Sequence, residues 1–318
     1  MKYKFIYKIQ IVNIMLKKLL YGVALLASIN LMTGCSGCNG KKSADVLEVP
    51  DSLVTDAPLQ LSEEVINDVI QNISSPVEMA NLIKMTGVAF SQKILNPTDN
   101  SKKYDTSFKR ALNLGVYSAD LGYINTFNKN TIVVSYLLAV KELAEGIKVG
   151  QFLDFSTLKR MATNNTNLDS LKEMSVSSFN KMDSYLREQK RSNVSTAIVT
   201  GAWIEGMYIT CNVIEQSNNP ELINRLGEQK DIVNILLIIL NNYGKADPNF
   251  GTLVKEMEGV QEAFKEVRIT TEFGDPKRIE KDGTLIIVQD EVSHVHITPE
   301  QVKNIIAQIK KVREFIVS

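Results

Sequence analysis

Two stretches of this chain gather carboxylates, aromatic rings and glycines at helical spacing: Gly115-Val-Tyr117-Ser-Ala-Asp120-Leu-Gly122-Tyr123 and Gly201-Ala-Trp203-Ile-Glu205-Gly206-Met-Tyr208. Residues three apart on a helix share a face, so Tyr117 with Asp120, and Glu205 with Tyr208, could line a ligand site, with Trp203 completing the set. In the second stretch Gly201, Glu205, Tyr208, Asn212 and Glu215 form one stripe, and Trp203, Met207, Cys211 and Ile214 another. Asp120 and Glu205 are also the residue types of a hydrolase acid/base pair, which needs the two groups roughly 5–10 Å apart on facing helices. The plainer alternative is packing. Glycine costs about 1 kcal/mol inside a helix relative to alanine, so four of them in two helices imply close backbone approach, with the carboxylates bonding tyrosine hydroxyls or capping neighbouring helices.

Other chemistries find little support. The two histidines, His294 and His296, would point to one face of a strand near Asp290 and Glu291, a weak candidate for zinc or copper. Neither lies in a motif for nucleophilic or zinc hydrolysis or for phosphate binding, so no catalytic residue is assigned and no cofactor is expected. Asn164 to Asp169 lacks the ligand alternation of a calcium loop and reads as a helix connection, with Thr166 or Asn167 as cap. Cys211 sits in an apolar stretch and Cys38 in a linker, which makes Cys211 a small buried residue rather than half of a Cys38–Cys211 disulfide.

The N-terminal segment is more specific. Lys2, Lys4, Lys8, Lys17 and Lys18 precede an apolar run of 14 residues from Leu19 to Met32, broken by Ser28 and Asn30, with no acidic residue before position 35. A bilayer-spanning helix needs about 20 apolar residues, so residues 1–34 read as a signal peptide that is removed. Met15 is a second candidate start, followed by the compact basic pair Lys17-Lys18. The junction Met32-Thr33-Gly34-Cys35 resembles the lipobox of bacterial lipoproteins, which implies cleavage before Cys35 and lipid on that cysteine. Ser36 stands where an aspartate would resemble an inner-membrane retention signal, and Asp45 and Glu48 are too sparse to resemble a surface-export signal. The expected location is therefore the outer membrane, facing the periplasm. Cleavage takes five lysines away, leaving 31 basic against 36 acidic residues and a mild negative charge. With no basic footprint, nucleic acid is not an expected partner.

Residues 35–59 have the Gly, Asn, Lys and Pro content of a flexible tether, with a reach of roughly 25–30 Å. From Leu61 to about Thr270, apolar residues recur at three and four. The pattern predicts helices near 62–73, 76–92, 107–126, 130–147, 154–162, 167–190, 194–217, 219–243 and 249–269. Pro76 and Pro220 fit first-turn positions, and the run Leu236 to Leu240 predicts a helix buried on more than one side. Thr284-Leu-Ile-Ile-Val-Gln and Val292-Ser-His-Val-His-Ile predict a short hairpin or two extended pieces. Thr298-Pro299-Glu300-Gln301 reads as a capping box opening a last helix, whose stripe Val302, Ile305, Ile306, Ile309, Val312 and Ile316 should dock on the rest. The expected fold class is all-α, a multi-helix bundle or two-layer helical array, with a helical domain over 60–275 and a small C-terminal extended hairpin and closing helix over 276–318.

The Gly201-x-Trp203-x-Glu205 segment has a weak similarity to the Gly-x-His-x-x-Glu motif of imelysin-like envelope proteins. Tryptophan replaces the histidine and the glutamate comes one residue early, so no metal or peptidase role carries over. The two glycine-aromatic-acidic segments together resemble those of uncharacterised helical lipoproteins of Gram-negative envelopes. That resemblance implies a fold and a location, and no mechanism. The resulting expectation is a lipid-anchored binding or scaffolding module, with a small molecule or an envelope protein as partner and the paired-carboxylate hydrolase as alternative.

Overall fold

A computed structural model describes residues 82–318, apart from 164–167, 275–276, 282–283 and 289–290. The signal segment, Cys35, Cys38, the tether, the helix expected at 62–73, Pro76 and the connection caps Thr166 and Asn167 lie outside the described residues. Within them the fold is all-α with a small C-terminal extended part. Residues 272–292 cluster apart from the helical body, to which 293–318 belong.

The body contains α1 (Ser107–Thr126), α2 (Asn130–Gly146), α3 (Phe155–Thr163), α4 (Leu168–Glu188), α5 (Ser192–Ser217), α6 (Pro220–Gly227), α7 (Lys230–Gly244), α8 (Pro248–Phe264) and α9 (Pro299–Val317). α1 has the predicted bounds. Thr106 caps it by accepting from the Lys109 backbone N–H, and 14 of its residues are buried. α5 is long and apolar enough to cross a membrane, yet 78% of its most apolar window is buried, which marks it as the central core helix.

α1 and α5 pack against each other backbone to backbone. A Cβ placed on Gly115 would strike the Ile198 carbonyl and the Ala202 backbone nitrogen, and one placed on Gly201 would strike the Leu112 carbonyl. The contacts are reciprocal: each glycine faces the residue three before the other. That arrangement requires an antiparallel crossing, and it explains why both positions are glycine.

Several predicted bounds shift. The helix expected over 76–92 stops at Met85, where Gly87 takes φ +77° and the Thr86 hydroxyl donates to the Ile83 carbonyl at 2.7 Å. The chain then runs through two 3-10 turns, Gln92–Ile94 and Thr98–Lys103. The single helix expected over 219–243 is two, α6 and α7, separated at Glu228 and Gln229. Gly227 packs against the Val295 side chain there, and the Gln229 carboxamide accepts a hydrogen bond from buried Trp203. Tertiary contacts override a pattern that is continuous in sequence. α7 buries Val233, Leu236, Leu237, Ile239 and Leu240 but leaves Ile238 exposed, so it is a one-sided core helix rather than an encircled one.

α8 ends at Phe264, and residues expected in its last turn begin β1 (Arg268–Phe273) instead. β2 (Lys277–Lys281) pairs antiparallel with β3 (Thr284–Val288) in the register Ile279 to Ile286, while β1 pairs with β4 (Glu291–His296). Both extended pieces seen in sequence are strands, but they pair with β2 and β1 rather than with each other.

α9 follows the sequence reading closely. The Thr298 hydroxyl accepts from the Gln301 N–H at 3.2 Å, and the Gln301 carboxamide oxygen accepts from the Thr298 N–H at 2.7 Å. All six residues of the predicted stripe are buried. Thr298→Ala is expected to lower stability by about 1 kcal/mol, the usual cost of a lost N-cap, measured by urea denaturation. A variant as stable as wild type would show that the box adds nothing to docking.

Candidate functional site

The first motif lies on α1, and three of its four polar side chains, at i, i+3 and i+6, reach the backbone of one neighbouring segment, while Ser118 donates to the Leu114 carbonyl of its own helix. The Tyr117 hydroxyl donates to the Pro97 carbonyl at 2.8 Å, Asp120 Oδ2 accepts from the Asn96 N–H at 3.1 Å, and the Tyr123 oxygen accepts from the Ser91 N–H at 3.2 Å. The 3-10 turn over Gln92–Ile94 does not use the Ser91 and Asn96 N–H groups, and the motif supplies their acceptors, while the Pro97 carbonyl accepts from the Asn100 N–H as well as from Tyr117. The Tyr117 hydroxyl therefore bonds backbone rather than the Asp120 carboxyl. Burial raises the Tyr117, Tyr123 and Tyr136 hydroxyls above their ordinary value, which keeps these phenols neutral.

The second motif's polar stripe meets α9. Glu205 is fully buried and forms a two-pronged ion pair with Arg313, Nε to Oε2 at 3.0 Å and Nη2 to Oε1 at 3.2 Å. The guanidinium also lies 4.6 Å from the centre of the Tyr208 ring, a cation-π contact. Further along the same stripe Glu215 pairs with Lys310 at 2.7 Å, and the Asn212 carboxamide donates to the Tyr208 carbonyl. Four predicted site residues, Tyr117, Asp120, Glu205 and Tyr208, therefore gather around one arginine. Trp203 does not join them. It is buried on the other stripe, with its indole N–H donating to Gln229 at 3.0 Å.

Asp120 and Glu205 touch: their carboxyl groups lie within hydrogen-bonding contact of each other. Burial raises both carboxyls above the ordinary range. At Glu205 the attached guanidinium works against that rise, while at Asp120 the neighbouring Glu205 charge adds to it. The upward push is therefore stronger on Asp120, while Glu205 is restrained by its ion pair with Arg313. Burial alone would lower the Arg313 value, but the two carboxyls outweigh it and keep the guanidinium firmly charged.

The C-terminal end of α9 is tied down around the same cluster. The last carbonyls of a helix lack intrahelical partners, and here the Asn113 carboxamide donates to Ile316 at 2.9 Å and the Tyr104 hydroxyl to Val317 at 3.3 Å. Asn96 in turn donates to the Tyr104 oxygen at 3.0 Å. Arg313, Asn96 and Tyr104 were not among the residues singled out from the sequence. The available signal was a basic residue one position past Val312, beside an apolar stripe, where a charge must snorkel or find a buried partner.

The arrangement is closed. Asp120 and Glu205 have no exposed surface, and they line neither of two cavities elsewhere in the body. One cavity, about 230 Å³, lies where Thr106, Phe108, Asn193, Asp247 and Phe250 meet. The other, about 590 Å³, is an open groove lined by Gln151, Phe152, Asp154, Met174, Ser177 and Lys181. Asp154 at its rim is held near about 2 by hydrogen bonds from the Thr157 N–H and the Ser156 hydroxyl, as expected of a carboxylate at a helix start.

His294 and His296 are exposed on β4, and His296 Nε2 lies 2.9 Å from the Thr270 hydroxyl. Asp290 lies outside the described residues. No group of three metal-ligating side chains forms among the described residues. Cys211 is a free, fully buried thiol whose pKa burial pushes far up, leaving it unreactive. No family model, curated protein or solved structure matches this chain.

Proposed function

We propose that the chain is the precursor of a lipoprotein, cut before Cys35 and held by lipid on that residue at the periplasmic face of the outer membrane. Its helical body works there as a binding or scaffolding module. The observation that carries the location is the junction Met32-Thr33-Gly34-Cys35, set behind five lysines and a 14-residue apolar run. Support for binding over catalysis comes from the carboxyl pair, of which Glu205 is held in an internal ion pair and neither member has surface for a substrate or an attacking water to reach. The tether over 35–59 would leave the body free to meet envelope partners within about 25–30 Å of its anchor.

The full precursor, expressed in a Gram-negative host fed an alkyne-tagged fatty acid, is expected to take up the tag and enter the detergent phase. Cys35→Ser is expected to lose both properties. A tag that persists in Cys35→Ser, or that never enters the wild-type chain, would overturn the anchor. The module reading is tested separately by crosslinking in intact cells. Discrete adducts of the tethered chain are expected; a wild-type chain that only ever runs alone would count against it.

A further inference from the structure

Two buried carboxyl groups in contact cannot be joined as two acceptors. Asp120 Oδ2 already accepts from the Asn96 N–H, and Oδ1 is buried with no hydrogen-bond donor facing it. Its neighbour Glu205 has both oxygens committed to Arg313 and carries no proton to give. The only group that can connect Asp120 to Glu205 is a proton on Asp120 itself. Charge leads to the same conclusion, because two carboxylates and one guanidinium leave one buried negative charge uncompensated, and a single proton removes it.

We infer that Asp120 and Glu205 share one proton and form with Arg313 a proton-operated latch that holds the C-terminal helix α9 against α1 and α5. The three members come from three different elements, α1, α5 and α9, so losing the proton acts on the docking of α9 rather than on any helix alone. The other titratable groups facing the cluster do not compete for this proton. Tyr117 on α1, Tyr136 on α2, Tyr104 before α1 and Tyr208 on α5 are phenols. Of the other charges along α9, Lys310 pairs with Glu215 of α5 and Lys311 with Glu256 of α8, while Glu300, Lys303 and Glu314 are exposed to solvent. When Asp120 ionises, repulsion from Glu205 and the desolvation of a second buried charge both favour an open α9, where water reaches the pair.

The sign follows from linkage. The docked state binds the proton more tightly than the open state, so α9 is most firmly docked at low pH. Docking weakens as pH rises from the ordinary aspartate range toward the raised value of the buried group. Because one proton is released per opening, the opening equilibrium should increase about tenfold per pH unit across that window.

Hydrogen exchange of the full chain reads this directly. After correction for the intrinsic base catalysis of exchange, α9 amides are expected to gain about one decade of opening per pH unit, while α7 and α8 amides do not. Asp120→Asn keeps the acceptor for Asn96, donates permanently to Glu205 and is expected to abolish the α9 slope. A flat wild-type slope, or an identical slope in Asp120→Asn, would overturn the latch. Should Asp120→Asn fail to fold, infrared titration of the wild-type chain decides. A protonated-carboxyl band present at neutral pH and lost as α9 opens is expected, and its absence at neutral pH refutes the shared proton.

Discussion

Gly201→Ala is expected to cost about 3 kcal/mol of stability, whereas Gly206→Ala, five residues further along the same helix, is expected to gain about 0.5–1 kcal/mol. The new methyl at 201 would land on the Leu112 backbone carbonyl, which belongs to the facing helix and cannot rotate away. Relief requires α1 and α5 to separate along the crossing that organises the core, and Gly115→Ala should behave alike because its methyl meets the Ile198 carbonyl and the Ala202 backbone. At Gly206 nothing lies within 4 Å of the added carbon, so what remains is the backbone entropy that alanine saves in the unfolded chain. Urea unfolding of the two variants beside wild type checks both signs. Equal, small effects at 201 and 206 would mean that the crossing is loose enough to breathe and that both glycines are incidental.

The same comparison shows which parts of the motif were legible. Glycines in two helices announced a close approach, but only the structure separates Gly201, which is in backbone contact, from Gly206, which is not. The α9 stripe from Val302 to Ile316 was fully readable because helical periodicity and a capping box are local signals. The same logic failed at Gly227 to Gln229, where the pattern runs on but Trp203 and Val295 make contacts that break the helix. It also missed the pairing of β1 with β4, since strand partners are set by non-local hydrogen bonds. The candidate site divided along the same line. Tyr117, Asp120, Glu205 and Tyr208 could be named from two short segments, but Arg313 lies 108 residues beyond Glu205 and nothing local couples them. Without the arginine, two adjacent acids look like a reaction centre. With it they form a buried, charge-balanced contact.

Arg313→Met should therefore be among the most damaging single changes in the body, costing about 3–5 kcal/mol at neutral pH. Methionine fills much of the volume but leaves Glu205 without its two donors and Tyr208 without its cation. The loss should depend on pH in a direction that packing damage alone would not produce. In wild type Arg313 is the main restraint on the rise of the Glu205 pKa, and without it burial pushes that carboxyl further up against the hydrogen bond from Asp120 alone. A raised carboxyl contributes stability that is present below its unfolded-state value and lost as pH rises through its folded one. The penalty of Arg313→Met should thus be small near pH 4, about the ordinary glutamate range, where both acids can be neutral, and grow toward neutrality. Adding Glu205→Gln to Arg313→Met removes the second buried charge, and the double variant should recover much of the loss at neutral pH and show the weaker pH dependence. Thermal unfolding of the three proteins across that range measures all of this. A penalty independent of pH would reduce Arg313 to a packing residue, and recovery that fails in the double variant would mean that the ion pair itself, rather than the charge left behind, supplies the stability.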